Sequence, residues 1–284
     1  MLSILIPSYN YNVVALAKIL HKQCNSCHIN YEILVYDDGS KSYHNLQNAN
    51  INNIENCTFK ELASNIGRSQ IRNKLAKDSK FEHLLFLDCD VLPEHPTLIE
   101  NYIHHISSDV VYGGITNEKE IPKKPYKLRW LYTKKREYKF MCSSNFFIKK
   151  EVMLKDLFDE TIRKYGYEDV IFFKNLENNA ITITPIKNSV IHFSKEKSKV
   201  YIKKIEIGLE NLSYLSSTNK IALNDSKIYY YYNMFSKFYL VNFIAFCFKA
   251  TKKLMLKNFD SSSPSLFLFD FYRLGFFCTI KSKK

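Results

Sequence analysis

Three short apolar runs, each broken off by polar or acidic residues, constrain this chain more than any other feature. Residues 2–6 (Leu-Ser-Ile-Leu-Ile) stop at Pro7-Ser8-Tyr9-Asn10, residues 31–36 at Asp37-Asp38-Gly39-Ser40, and residues 83–87 at Asp88-Cys89-Asp90. Runs this short, bounded by turn residues, read as buried strands. Between them Val13, Leu16, Ala17 and Leu20 recur at helical spacing, and residues 66–77 are expected to form a helix capped by Asn65. Alternating strand and helix is the signature of a parallel sheet covered by helices. In such sheets ligands bind outside the carboxyl ends of the strands. Each of these acidic clusters lies at such an end, which is the first functional inference.

Further along, residues 146–148, 181–184 and 190–193 are expected as strands, and residues 165–169 open a helix that runs to Asn178. A basic, Trp130-containing stretch over 119–139 is expected as a helix or mobile loop, and from Lys197 onward the chain reads as helical and increasingly aromatic.

The 284 residues suffice for one sizeable α/β domain with appendages, and 46% apolar with 24% charged residues excludes a disordered chain. A net charge of +13 by itself suggests a polyanionic partner. Its distribution says otherwise. Residues 1–118 hold 9 basic and 13 acidic side chains, 140–196 hold 8 of each, 119–139 hold 9 against 2, and 197–284 hold 15 against 5. The basic surface belongs to one internal segment and the C-terminal third, and no nucleic-acid partner is expected.

The opening residues carry no basic stretch and run into Pro7, so a buried strand is expected there rather than a signal peptide. The longest strongly apolar uncharged run, 238–248, has 11 residues. A spanning helix needs roughly 20, so no ordinary transmembrane segment is expected. Seven scattered cysteines suit reduced thiols in a cytoplasm. Cys24-Asn25-Ser26-Cys27-His28 matches the C-x-x-C-H haem-attachment pattern, but without an export signal it is expected to be a helix end with two incidental thiols.

Two carboxylates at the frayed end of a strand, as in Asp88-Cys89-Asp90, can converge on a hard cation that also meets substrate phosphates. A solvated turn with two acids is the plain alternative for a lone D-x-D. The second acidic pair, Asp37-Asp38, at another strand end favours the functional reading.

These residues, in this order, resemble glycosyltransferase family 2, whose members share the nucleotide-sugar-binding α/β fold called GT-A. Residues 2–10 resemble the family's opening strand and 31–40 the second. Asn65-Ile66-Gly67-Arg68 with Ile71-Arg72-Asn73 is similar to the following helix opening, 85–90 to the metal-binding motif, and Tyr167-Glu168-Asp169 to the catalytic acidic pair. The resemblance covers about residues 1–195. The ending 268–275 looks like the tails of some bacterial polysaccharide-synthesis members. The fold implied is a Rossmann-like, mostly parallel sheet with helices on both faces, as a catalytic domain over 1–196, followed by a basic, aromatic helical extension over 197–284.

The resemblance also implies roles. Pro7, Tyr9 and Asp38 would line the base pocket, with Asp38 accepting the uracil N3–H, which implies a UDP-sugar donor. Arg72 would hold the donor or order the acidic cluster, Asp88 would contact ribose or sugar, and Asp90 would bind Mn²⁺ or Mg²⁺. Asp169 would be the general base, with Glu168 beside it positioning the acceptor. His192, at a strand end, is either a further metal ligand or a locally satisfied histidine. Cys89 departs from the more usual Ser or Ala, and Val91 stands where a further Asp is frequent. A sugar hydroxyl needs a carboxylate to take its proton during attack. A metal stabilises the charge growing on the departing nucleotide. Inversion at the anomeric carbon is implied by the resemblance alone. Acceptor contacts are expected from 113–145.

From Tyr229 to the end, 17 of 56 residues are Phe or Tyr, interleaved with lysines. Such a pattern suits a helix lying in a membrane interface, or helices packed back on the protein. The expectation is a metal-dependent inverting glycosyltransferase, peripheral on the inner face of the cytoplasmic membrane, acting on a glycan or lipid-linked glycan in cell-surface polysaccharide synthesis. A nucleotidyltransferase would carry a Gly-rich triphosphate loop after the first strand, and Pro7-Ser8-Tyr9-Asn10 is not one. A catalytically inactive sugar-nucleotide-binding or membrane-scaffold protein is the alternative from another class, and it would have no need of Glu168-Asp169.

Overall fold

The computed structural model describes residues 1–137, 141–193 and 196–282. The chain forms two compact units, Met1–Thr116 with Tyr138–Arg163 and Phe172–Phe193, and Asn117–Glu137 with Lys164–Ile171 and Ser194–Lys284.

In the first unit the chain runs β1 (Leu2–Ser8), α1 (Val14–Ser26), β2 (Tyr31–Asp37), α2 (His44–Asn48), β3 (Cys57–Glu61), α3 (Arg68–Asp78), β4 (His83–Leu87) and β5 (Val91–Pro93). It continues through α4 (Leu98–Ile103), β6 (Val110–Tyr112) and β7 (Ile115–Asn117). After α5 (Lys127–Lys135) of the second unit come β8 (Asn145–Lys149) and α6 (Lys150–Lys155). Next are α7 (Glu168–Asn178), whose first turn counts with the second unit, then β9 (Ile183–Pro185) and β10 (Val190–His192).

Seven strands form one sheet in the order β3-β2-β1-β4-β8-β6-β9, and β5-β10-β7 form a small second sheet. The pairs β2–β3, β1–β2, β1–β4 and β6–β9 are parallel, while β8 lies antiparallel to β4 and β6. Strand side chains alternate between faces. Ile4, Ile6, Ile33, Val35, Leu85 and Phe147 share one core with Leu16, Ala17 and Leu20 of α1 and Tyr102 of α4. Leu5, Leu34, Phe86, Phe146 and Ile148 pack on the other side with Ile71 and Leu75 of α3 and Phe172, Phe173 and Leu176 of α7. Apolar residues in both phases of each strand are what a sheet covered on two faces requires. The expected GT-A-type α/β fold with its C-terminal helical region is therefore observed.

Two local expectations need correction. The helix after β3 begins at Arg68, and its N-cap is Gly67 at φ 92, not Asn65. The backbone N–H groups of Ile66 and Gly67 are instead taken by the distant Asp38 carboxylate, at 2.7 and 3.0 Å. A strand expected over 181–184 is shorter and shifted, to Ile183–Pro185.

The second unit contains α5, α8 (Ser198–Ser217), α9 (Lys227–Lys237), α10 (Val241–Phe259) and α11 (Leu266–Lys281). Its core joins Leu128 of α5, Tyr201 and Ile202 of α8, Phe248, Met255 and Phe259 of α10, and Phe269 and Tyr272 of α11. Glu206 of α8 accepts hydrogen bonds from Lys252 (3.1 Å) and Tyr272 (2.7 Å), tying three helices together. The basic stretch expected over 119–139 yields α5, and its last two residues, Tyr138 and Lys139, lie outside the described residues. Among the described residues no helix is long and apolar enough to cross a membrane. All seven cysteines are free thiols, and Cys24 and Cys27 fall at the end of α1 as expected.

Candidate active site

The parallel strands β3, β2, β1 and β4 deliver their carboxyl ends to one edge of the sheet, and the acidic clusters collect there. Asp37 is fully buried at the end of β2. Its carboxylate accepts the backbone N–H (2.8 Å) and hydroxyl (2.7 Å) of Ser40 and the amide of Asn45 (3.2 Å). The turn that follows needs Gly39, whose φ is 64 and where an added Cβ would come 2.4 Å from the backbone of Ser64. Asp38, also buried, donates its own N–H to Ser8 at the end of β1 (2.8 Å). Burial raises its carboxyl pKa, against the opposing pull of the Ile66 and Gly67 N–H groups. About four acceptor positions exist on a carboxylate, so two remain for a ligand. Pro7 is half-buried near the end of β1, and Tyr9, just past it, is 57% exposed.

Asp88, at the end of β4, is braced from two sides. Arg72 of α3 donates from Nη2 to Oδ1 at 2.8 Å, and Ser144 Oγ donates to Oδ2 at 2.7 Å. The Asp88 backbone N–H also reaches the Ser144 carbonyl at 3.1 Å. Arg72 is 2% exposed, and its guanidinium lies 5.5 Å from the centre of the Phe158 ring. A buried guanidinium needs such a partner, because removing one member leaves the other charge uncompensated.

Asp90 faces His192. Their Oδ2 and Nε2 atoms are 3.2 Å apart, because β10 pairs antiparallel with β5 and sets His192 opposite Val91. The Asp90 carbonyl accepts the N–H of Phe193 at 3.2 Å, which continues the same ladder. His192 Nδ1 is buried with no partner among the described residues, and Nε2 is the ring nitrogen turned to Asp90. A carboxylate oxygen suits Mg²⁺ or Mn²⁺, and an imidazole favours the transition ion. Among the described residues no group of three or more His, Cys, Asp and Glu side chains could hold a metal. Substrate phosphates and water would complete the shell, as is common for such ions. The donor set fits on those terms. Burial, then the neighbouring Asp90 and Asp88 carboxylates, push the pKa of the Cys89 thiol, between the two aspartates, up to about 12.

Glu168 and Asp169 stand in the first turn of α7, where negative charge is favoured by the helix dipole. Glu168 is 5% exposed, and Asp169 Oδ1 accepts the N–H of Val170 at 2.8 Å. Two consecutive residues with positive φ, Gly166 (93) and Tyr167 (73), turn the chain into this helix. A bulky residue in that region costs on the order of 1–3 kcal/mol and persists only if its surroundings hold it. Asn211 of α8 does so. It donates to the Gly166 carbonyl at 2.6 Å and to the Lys164 carbonyl at 3.4 Å. The Gly166 backbone lies so near Gly208 that an added Cβ would sit 3.3 Å from its Cα.

The residues expected to bind donor and metal thus gather at one sheet edge of the first unit, with Asp90 and His192 in contact and Arg72 joined to Asp88. Glu168 and Asp169 lie in the second unit. Sequence reasoning missed Ser144 and Asn211, and no local pattern marks either, since their partners lie 56 and 45 positions away.

The sequence profile described as "Glycosyl transferase family 2" matches residues 3–160, more than half of the chain. A search of curated proteins returns no significant match. Among solved structures, S. aureus TarS superposes with a TM-score of 0.51 at 20% identity, over 74% of this chain and 39% of that one. S. aureus TarS 1–349 in complex with UDP-GlcNAc gives 0.51 at 16% identity, over 99% of this chain and 91% of that one. Mannosyltransferase PcManGT from Pyrobaculum calidifontis, in complex with GDP-Man and Mn²⁺, gives 0.50 at 14% identity, over 76% and 64%. The chain therefore spans about two fifths of the first TarS chain, and at these identities the likeness is one of fold.

Proposed function

The chain belongs to glycosyl transferase family 2, and from that premise we propose that it moves a sugar from a UDP-sugar to a glycan acceptor, with inversion and with a divalent metal. Membership makes it a glycosyltransferase of class EC 2.4. The observation that carries the finer reading is the meeting of Asp90 with His192 beside the braced Asp88, all at the carboxyl edge of the sheet.

In this reading Pro7, Tyr9 and Asp38 receive the base, with Asp38 accepting the uracil N3–H. Asp88 takes ribose or sugar hydroxyls while Arg72 and Ser144 keep its carboxylate from turning. Asp90 and His192 would hold Mn²⁺ or Mg²⁺, which when bound would stabilise charge on the departing diphosphate. Asp169 accepts the proton of the attacking hydroxyl, and Glu168 orients that hydroxyl. The acceptor is a glycan or lipid-linked glycan of cell-surface polysaccharide synthesis, reached at the inner face of the cytoplasmic membrane.

The test is a panel of nucleotide sugars, each assayed for transfer and hydrolysis with Mn²⁺, Mg²⁺ or chelator. A UDP-sugar should turn over with Mn²⁺, and Asp90→Asn should lower that rate by about a hundredfold or more, the scale of a lost electrostatic contact to the leaving group. Full activity in chelator, or in Asp90→Asn, would refute the metal reading.

A further inference from the structure

We propose that the outward face of α10, with the turn before it, docks on an anionic lipid bilayer and lies in its plane. This sharpens the membrane location in the reading above, and it rests on residues that the transfer chemistry does not use. Residues 227–259 hold six lysines and no Asp or Glu. Helix α10 buries Ile244, Ala245, Phe248, Met255 and Phe259. Helical geometry sets Phe243, Phe246, Lys253, Leu254 and Lys257 on the opposite side. There Phe243 is 63%, Phe246 68% and Leu254 70% exposed. The preceding turn adds Phe238 at 68% and Tyr239 at 93%, the latter thrown outward by a φ of 57.

Large apolar side chains scattered singly over a surface need no explanation, but a contiguous set on one turn and one helix face marks an interaction site. The rim chooses the occupant. Lys249, Lys253 and Lys257 are exposed beside the apolar set, whereas Lys252 turns inward to Glu206 at 3.1 Å. A second copy of this face would bring lysines against lysines, with no carboxylate on the helix to answer them. Anionic headgroups answer them directly, and the aliphatic stems can lie along the acyl boundary. Since α10 is not apolar enough to span, the arrangement fits a helix seated in the interface, roughly 5–10 Å deep.

The experiment is co-sedimentation of the full chain with vesicles of phosphatidylcholine, with and without phosphatidylglycerol, at low salt. Binding should require phosphatidylglycerol. The Lys249→Glu, Lys253→Glu, Lys257→Glu variant should lose at least about a hundredfold in partition, roughly fivefold for each lysine lost and more from the repulsion of each new carboxylate. Phe243→Ser with Phe246→Ser should lose about tenfold or more at unchanged charge. Both variants alter exposed residues and should keep the parental Tm and nucleotide-sugar hydrolysis in vesicle-free buffer. Equal partition of parent and variants, binding indifferent to phosphatidylglycerol, or a dimer in sedimentation velocity that the Phe variant dissociates would overturn the proposal. Vesicle binding without transfer would instead sink the functional reading and leave the surface standing.

Discussion

The two units hold their candidate reacting groups by different means. At the sheet edge of the first unit, carboxylates are braced by direct hydrogen bonds to their own oxygens. Asp88 sits between Arg72 and Ser144, and Asp38 spans two backbone N–H groups. In the second unit the acidic pair is steered through the backbone, by two positive-φ residues and the hold of Asn211 on the Gly166 carbonyl. The first device fixes charge, and the second fixes direction. Damage to the first should appear in donor binding and stability, and damage to the second in turnover.

Asp169→Asn should have the largest effect, lowering transfer by about 10²–10⁴-fold, the usual contribution of a general base. UDP affinity, read by calorimetry, should stay at the parental value. Transfer at the parental rate would show that Asp169 is not the base and break the comparison. Arg72→Met should come next. It leaves Asp88 with Ser144 as its side-chain partner, and losing a charged hydrogen bond from a pair in which only Arg72 is buried costs up to about 3 kcal/mol. Thermal unfolding should then shift down by up to roughly 6–12 °C, together with weaker UDP binding; an unchanged Tm would mean that the pair carries no stability. Asn211→Ala should be the mildest, reducing kcat about tenfold, short of the roughly hundredfold that a full ångström of misplacement costs. The donor KM should not move, and a variant that raised only KM would place Asn211 on the donor side.

Much of this was written locally. The three apolar runs marked the ends of β1, β2 and β4 and five of the seven expected donor and metal positions, because strand, turn and polar or acidic residue are neighbours in sequence. The pairing of Asp90 with His192 needed the antiparallel seating of β10 on β5, which no short window encodes. Strand β3 went unread because Cys57–Glu61 alternates weakly, with a single buried residue. The cap of α3 was misassigned because propensity looks for a side chain nearby, whereas the acceptor comes from Asp38, 28 positions upstream. The insertion of β8, antiparallel between β4 and β6, is likewise a tertiary outcome.

The interleaving of the two units limits how the protein can be taken apart. The chain passes from one to the other five times, at 116/117, 137/138, 163/164, 171/172 and 193/194. A gene cut near residue 197 would thus not release a module. It would leave Leu128 and Tyr132 of α5 stripped of Tyr201, Phe259 and Phe269, an apolar face with nothing to cover it. Deletion mapping would report misfolding in place of lost function, and recombination could not pass the helical part between relatives as a cassette. Substitution, one side chain at a time, is the genetics this architecture permits.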